Sequence, residues 1–182
     1  IKEVCYEGVK NQQKTQVNAI IHCAALTTAN STNGSLIYET NISLAKQVCE
    51  WIDLLKPDFV AFMSTVSVYG TIKAKVLSND SKIINPNQYG QSKLIAEKIL
   101  RGKCLEQNIS FLNLRLPGTV GYGSHGNIVT RILDRIKSPN GYKKRILLKN
   151  PKSMFNNVVC INTLMDYVIS TMKKVFHEKN IF

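Results

Sequence analysis

Tyr89-Gly90-Gln91-Ser92-Lys93 is the segment whose residue types and spacing most directly suggest chemistry. On a helix, positions i and i+4 share a face, so the Tyr89 phenol and the Lys93 amine become neighbours. A free phenol titrates near ~10 and is a poor acid or base at neutral pH, but an adjacent ammonium favours the phenolate. The pair is therefore expected to exchange protons with a bound alcohol or carbonyl. Upstream, Ser64-Thr65-Val66-Ser67-Val68-Tyr69-Gly70 places hydroxyls directly after an apolar run. Such hydroxyls can hydrogen-bond a substrate oxygen, or they can satisfy backbone groups in a turn.

These groups need a frame. Val17 to Ala25, Asp58 to Ser64 and Ile109 to Leu116 are short apolar runs of the kind that form strands buried on both faces. Between them, apolar residues recur at helical spacing from Leu36 to Leu55, where Pro57 stops the helix, and from Tyr89 to Cys104. Residues 70–86 are rich in turn formers and read as a loop. Pro117 and Gly118 break the third strand. An amphipathic helix is expected from Asn127 to Ile136, a short strand at Arg145 to Leu148, and a last helix from Thr163 to Val175. Alternating strands and helices imply an α/β fold with a doubly wound parallel sheet, and ligands of such sheets bind at the carboxyl ends of the strands. The hydroxyl segment follows a strand directly, as that rule requires.

Composition narrows the function classes. With 44% apolar residues in 182, the chain can bury a core and is not a disordered polymer. No apolar run reaches the roughly 18 residues that would mark a transmembrane helix. The first residues lack the apolar core and small-residue cleavage site of a secretory signal, and the cysteine usage leads to the expectation of a reducing, cytoplasmic location. The net charge of +12 raises the question of nucleic acid. Lysine is spread along the whole chain, however, which reads as a compositional bias, and no nucleic-acid or membrane partner is expected. Cations gather locally between Arg131 and Lys152, where they could face an anionic group such as a diphosphate or simply water. The five cysteines are odd in number and widely spaced, so neither a disulfide framework nor a metal site is expected. Most of them are expected to act as small buried hydrophobes.

Taken together, IIHCAA, ETNISL, MSTVSVYG, PNQYGQSKLIAEKIL, LRLPGTVGYG and GNIVTRIL resemble the extended short-chain dehydrogenase/reductase family of nucleotide-sugar epimerases and dehydratases. The resemblance implies a Rossmann-like cofactor-binding core over 1–122, incomplete at its amino end. It implies elements of a small substrate lobe over 123–182, interleaved with the last core strand and helix. It implies an NAD or NADP cofactor, with NAD favoured, a nucleotide-sugar substrate and a possible homodimer. By the same resemblance Thr65, Tyr89 and Lys93 are catalytic, Lys93 also binding the ribose hydroxyls of the cofactor. Cys23, Ala24, Ala25, Pro117 and Gly118 line the cofactor, and Asn127 opens the helix that meets the substrate pyrophosphate. Asn41 matches a family asparagine, and is equally readable as a helix cap or a surface residue.

Two departures bear on the chemistry. The family's glycine-rich turn, which holds the cofactor pyrophosphate, is not in this sequence, which reads as a fragment starting just before the family's third strand. Val66 and Ser67 stand where sugar dehydratases carry Asp-Glu, so elimination of water is disfavoured. The expected activity is an NAD(P)-dependent nucleotide-sugar epimerase or reductase. A carbonyl or hydroxysteroid-type dehydrogenase with the same three residues, and a non-catalytic truncated module retaining the fold, are the alternatives.

Overall fold

The computed structural model describes residues 17–122, 128–138 and 158–179. The three apolar runs pair edge to edge: β1 (Ala19–His22), β2 (Phe59–Thr65) and β3 (Ser110–Leu116) form a parallel sheet in that order. The register sets His22 beside Phe62 and Thr65 beside Leu116, so the carboxyl ends of the strands open on one edge. Parallel strands need long crossovers, and helices supply them here. Helix α1 (Gly34–Leu55) joins β1 to β2, and α2 (Gln88–Glu106) joins β2 to β3.

Local chemistry sets the helix ends. The Asn33 side chain accepts from the Leu36 N–H at 3.1 Å, relieving one unpaired amide of the first turn of α1. At the other end Lys56 turns left-handed (φ 48°), donates to the Ile52 carbonyl and is followed by Pro57. Asn87 caps α2 through the Gly90 N–H at 2.9 Å. The inner face of α1 presents Ile37, Asn41, Ala45, Val48 and Ile52, at the three-to-four residue spacing that puts side chains on one stripe.

Alternation along β2 divides the core. Val60 and Phe62 point into a cluster with Ala45, Val48 and Ile52 of α1 and Ala96, Leu100 and Cys104 of α2. Phe59 and Ala61 point the other way, onto Leu164 and Val168 of α4 (Ile161–Glu178). Each fully buried Val, Leu, Ile or Phe contributes about 1.5–3 kcal/mol through removal of apolar area from water. Helix α3 (Ile128–Lys137) falls within a residue of its expected bounds, and α4 is longer than expected at both ends.

A short η turn (Val66–Tyr69) of 3₁₀ type follows β2 and leads into the loop 70–86. The loop is closed at its neck. The Thr71 N–H donates to the Ile84 carbonyl at 2.8 Å, and the Ile84 N–H donates to the Tyr69 carbonyl at 2.9 Å. Gly70 makes this possible: its φ is +66°, and a Cβ there would lie 2.1 Å from the Ile84 oxygen.

Two features differ from the sequence expectation. Beyond Pro117 the chain forms β4 (Gly118–Val120), which pairs in parallel with β5 (Val158–Cys160) as a separate two-stranded sheet. Three-residue strands carry no readable periodicity, and their pairing is far from local in sequence. Among the described cysteines Cys104 is buried, Cys49 is half-buried, and Cys23 and Cys160 are exposed, so most are not core residues. Cys23 and Cys160 both follow or end a strand at the sheet edge, where the chain leaves the core. Asn127, the strand expected at Arg145 to Leu148, Cys5 and most of the cations of the basic cluster lie outside the described residues. Among the described residues no helix is long and apolar enough to cross a membrane.

Candidate active site

The site is assembled at the carboxyl edge of the sheet, where the segments after β1 and β2 meet the first turns of α2. Gly90 governs the approach. A Cβ at this position would lie 2.2 Å from the Ser67 carbonyl oxygen, so only glycine lets α2 start directly on the η turn. The residue before it, Tyr89, is thereby brought to the hydroxyl segment. Thr65 caps that turn, its Oγ1 accepting from the Ser67 N–H and donating to Ser67 Oγ, both at 3.2 Å.

Lys93 is 2% exposed. Its Nζ stands 4.0 Å from the centroid of the Phe62 ring, a cation–π contact at the middle of β2. It donates no hydrogen bond among the described residues. Burial pulls this ammonium down to about 8, opposed by Cys23 and by Glu97. His22, stacked on the other contact of Phe62 with ring centroids 5.1 Å apart, is pulled down to about 4 by burial and by the charge of Lys93. An unshared ammonium and a neutral imidazole therefore sit side by side where the sheet opens.

Tyr89 is half-buried and lines an open cleft of about 310 Å³ with Thr28, Ser31, Thr32, Asn87 and Gln88. The sequence reading has Lys93 drawing this phenol toward neutrality. In the structure burial pushes the Tyr89 phenol up instead. The reason is geometric: the amine is turned onto Phe62, and its influence falls on His22 and Cys23.

Cys23 and Ala24 are exposed and Ala25 half-buried just past β1, leaving open backbone at the strand end. Pro117 alone separates β3 from β4, and Gly118 is the first residue of β4. Asn41 is neither a cap nor a surface residue. It is buried in α1, accepts from the Leu26 N–H at 2.8 Å, donates to the Leu26 carbonyl at 3.0 Å and also donates to Ser92 Oγ at 3.0 Å. Ser92 Oγ in turn donates to the Tyr89 carbonyl at 2.8 Å. One amide thus pins the segment after β1 to the first turn of α2.

Sequence reasoning missed a second tie. Glu97, one turn beyond Lys93, receives the Ser64 hydroxyl and the fork of Arg115, whose Nη2 lies 2.7 Å from Oε2. Arg115 also donates to Tyr69 Oη at 3.0 Å. Two signals were present: a carboxylate on the inner face of a helix and a cation inside an apolar strand, LNLRL. Each demands a buried partner. Among the described residues no three His, Cys, Asp or Glu side chains gather where a metal ion would be held.

A three-stranded parallel sheet packed between helices, with titratable groups at its carboxyl edge, defines a Rossmann-like fold. Residues 9–158 match the NAD dependent epimerase/dehydratase family, and the chain belongs to it. It is 28% identical over 90 residues to UDP-glucose 4-epimerase of Bacillus subtilis (strain 168), covering 48% of this chain and 26% of that protein. Among solved structures, a UDP-glucose 4-epimerase matches with a TM-score of 0.78 and 18% identity over 96% of this chain and 57% of the other. The Bifidobacterium longum UDP-glucose 4-epimerase in complex with NAD+ and UDP matches with a TM-score of 0.57 and 25% identity, over 65% of this chain and 36% of the other. The chain therefore spans about a quarter of the curated relative, at 26% of its length, and 36% to 57% of these two solved ones.

Proposed function

We propose that this chain carries the acid/base centre of an NAD-dependent nucleotide-sugar epimerase acting on UDP-hexoses. The carrying observation is Lys93: an amine on a side chain only 2% exposed, with no hydrogen bond among the described residues, beside the strand ends where a dinucleotide would lie. A largely desolvated ammonium is stabilised by acceptors, and the two ribose hydroxyls of NAD are acceptors that suit it. The open backbone at Cys23, Ala24 and Ala25, and the break from β3 to β4 at Pro117 and Gly118, suit the flat cofactor rings.

Bound NAD supplies a hydride acceptor that also returns the hydride. The residues of this chain do the rest. Tyr89 takes the proton of the sugar hydroxyl and gives it back to the ketone oxygen. Thr65 holds the same oxygen by a hydrogen bond, and Lys93 fixes the cofactor ribose and favours the ionised phenol once turned toward it. The cleft beside Tyr89, lined by Thr28, Ser31, Thr32, Asn87 and Gln88, offers polar partners to a sugar ring. Val66 and Ser67 offer no acid or base for loss of water, which supports epimerisation over dehydration. The NAD and UDP bound to the Bifidobacterium enzyme support both ligands. Asn127 is assigned to the substrate pyrophosphate, and a homodimer and a cytoplasmic location complete this reading.

The test is Tyr89→Phe in the full-length protein, assayed for interconversion of UDP-glucose and UDP-galactose. Loss of a positioned acid/base costs about 10²–10⁴-fold in turnover, with bound NAD unchanged. Turnover at the parental rate overturns the assignment.

A further inference from the structure

Glu97 and Arg115 form an ion pair that the proposed chemistry does not use, and its placement is specific. Glu97 lies one turn past Lys93 and two past Tyr89, on the same face of α2. Arg115 Nε donates to both carboxylate oxygens, at 3.0 and 3.2 Å, and Nη2 donates at 2.7 Å. The Ser64 hydroxyl donates to the same carboxylate from the residue before Thr65. Arg115 Nη1 reaches Tyr69 Oη in the η turn, and Tyr69 Oη donates to the Ser78 carbonyl at 2.9 Å. One carboxylate thus joins the ends of β2 and β3, the η turn and the helix of Tyr89 and Lys93.

The two side chains are only 6% and 21% exposed. Burial of an ion pair is weak evidence for stability, because desolvation offsets the attraction and apolar replacements are often as stable. Position is the better account. Catalytic groups misplaced by about 1 Å lose on the order of 10²-fold in rate. The charge of Glu97 also acts on Lys93, which is faced by His22 and Cys23 from the end of β1 and shares a helix face with Tyr89.

On the functional reading above, we propose that Glu97 is a positioning residue: held by Arg115, it locks the Thr65 end of β2 against the Tyr89–Lys93 helix and keeps a negative charge one turn behind the Lys93 amine.

The experiment uses the full-length protein loaded with NAD. Replacing the pair together, Glu97→Leu with Arg115→Leu, removes the tie without leaving a lone buried charge. Turnover is expected to fall on the order of 10- to 100-fold, with KM for UDP-glucose, NAD content and melting temperature those of the parent. Parental turnover in this folded variant overturns the proposal. Should the pair variant not fold, Ser64→Ala removes only the hydroxyl tie. A several-fold loss of turnover at the parental melting temperature then supports the proposal, and parental turnover overturns it.

Failure of the functional reading is visible separately, as a parent that binds NAD yet interconverts no UDP-sugar. In that case the Lys93 amine is followed by ¹⁵N NMR. Glu97→Gln removes a charge that favours the ammonium, so the amine should titrate about half a pH unit or more lower. An unchanged titration overturns the proposal.

Discussion

Val60, Phe62 and Ser64 leave β2 on one side of the sheet, and Phe59, Ala61 and Met63 leave it on the other. The first set meets an apolar cluster that grades, toward the carboxyl edge, into charge: His22, Lys93, Glu97 and Arg115. The second set meets Leu164 and Val168 of α4, with Met165, Tyr167 and Ile169 left exposed on that helix. Among the described residues the side backed by α1 and α2 holds more fully buried side chains, and it is the side that takes polar groups out of water. The difference teaches that the cluster of α1 and α2 is there to support an unfavourable arrangement. Burying an ammonium and an imidazole costs stability that well-packed neighbours must offset.

That contrast can be broken by mutation. Phe62→Ala strikes where the apolar cluster meets the charges, removing the ring that both His22 and Lys93 touch. A loss of about 3–5 kcal/mol in urea unfolding is expected, and a loss below that range would mean the cluster does not hold the site. The buried imidazole gives the next effect. His22 binds a proton near 6.5 when unfolded and only near about 4 when folded. Between these values the unfolded state holds more protons, so stability rises with pH and is lost on acidification, by about 3 kcal/mol in all. His22→Gln should flatten that part of the stability-against-pH curve, and an unaltered curve would show that His22 is not buried neutral. On the plainer side, Val168→Ala should cost about 2 kcal/mol with no added pH dependence. Smallest of all, Asp53→Ala removes an exposed partner of Lys103, at 2.7 Å, and should leave the melting temperature unchanged.

Strand and helix positions were legible because the core is made of local patterns. The run at β2 is apolar because both its faces are buried, while β1 and β3 beside it are mostly half-buried, with Ile21 exposed; α1 and α2 carry helical spacing ended by Pro57 and opened by Asn87. Tyr89 and Lys93 could be paired because their spacing is local too, whereas Thr65 is singled out among the hydroxyls of its segment only by the family resemblance. What could not be read depends on register between distant segments. Glu97 meets Arg115 only because β3 pairs with β2 so that Ser64 lies beside Arg115. Asn41 meets Leu26 and Ser92 only once α1 and α2 are packed. The exposure of Cys23 likewise follows from where the strand ends, which an apolar neighbourhood in sequence does not reveal. The direction of the Lys93 amine, onto Phe62 rather than toward Tyr89, is a rotamer choice that helical periodicity leaves open.

The pinch between Gly70 and Ile84 separates two lengths that would otherwise be linked. Residues between them can grow, shrink or be exchanged without changing the span from the threonine that ends β2 to the tyrosine that opens α2. A protein built this way can accept insertions beside Thr65 and Tyr89 while these two residues keep their spacing.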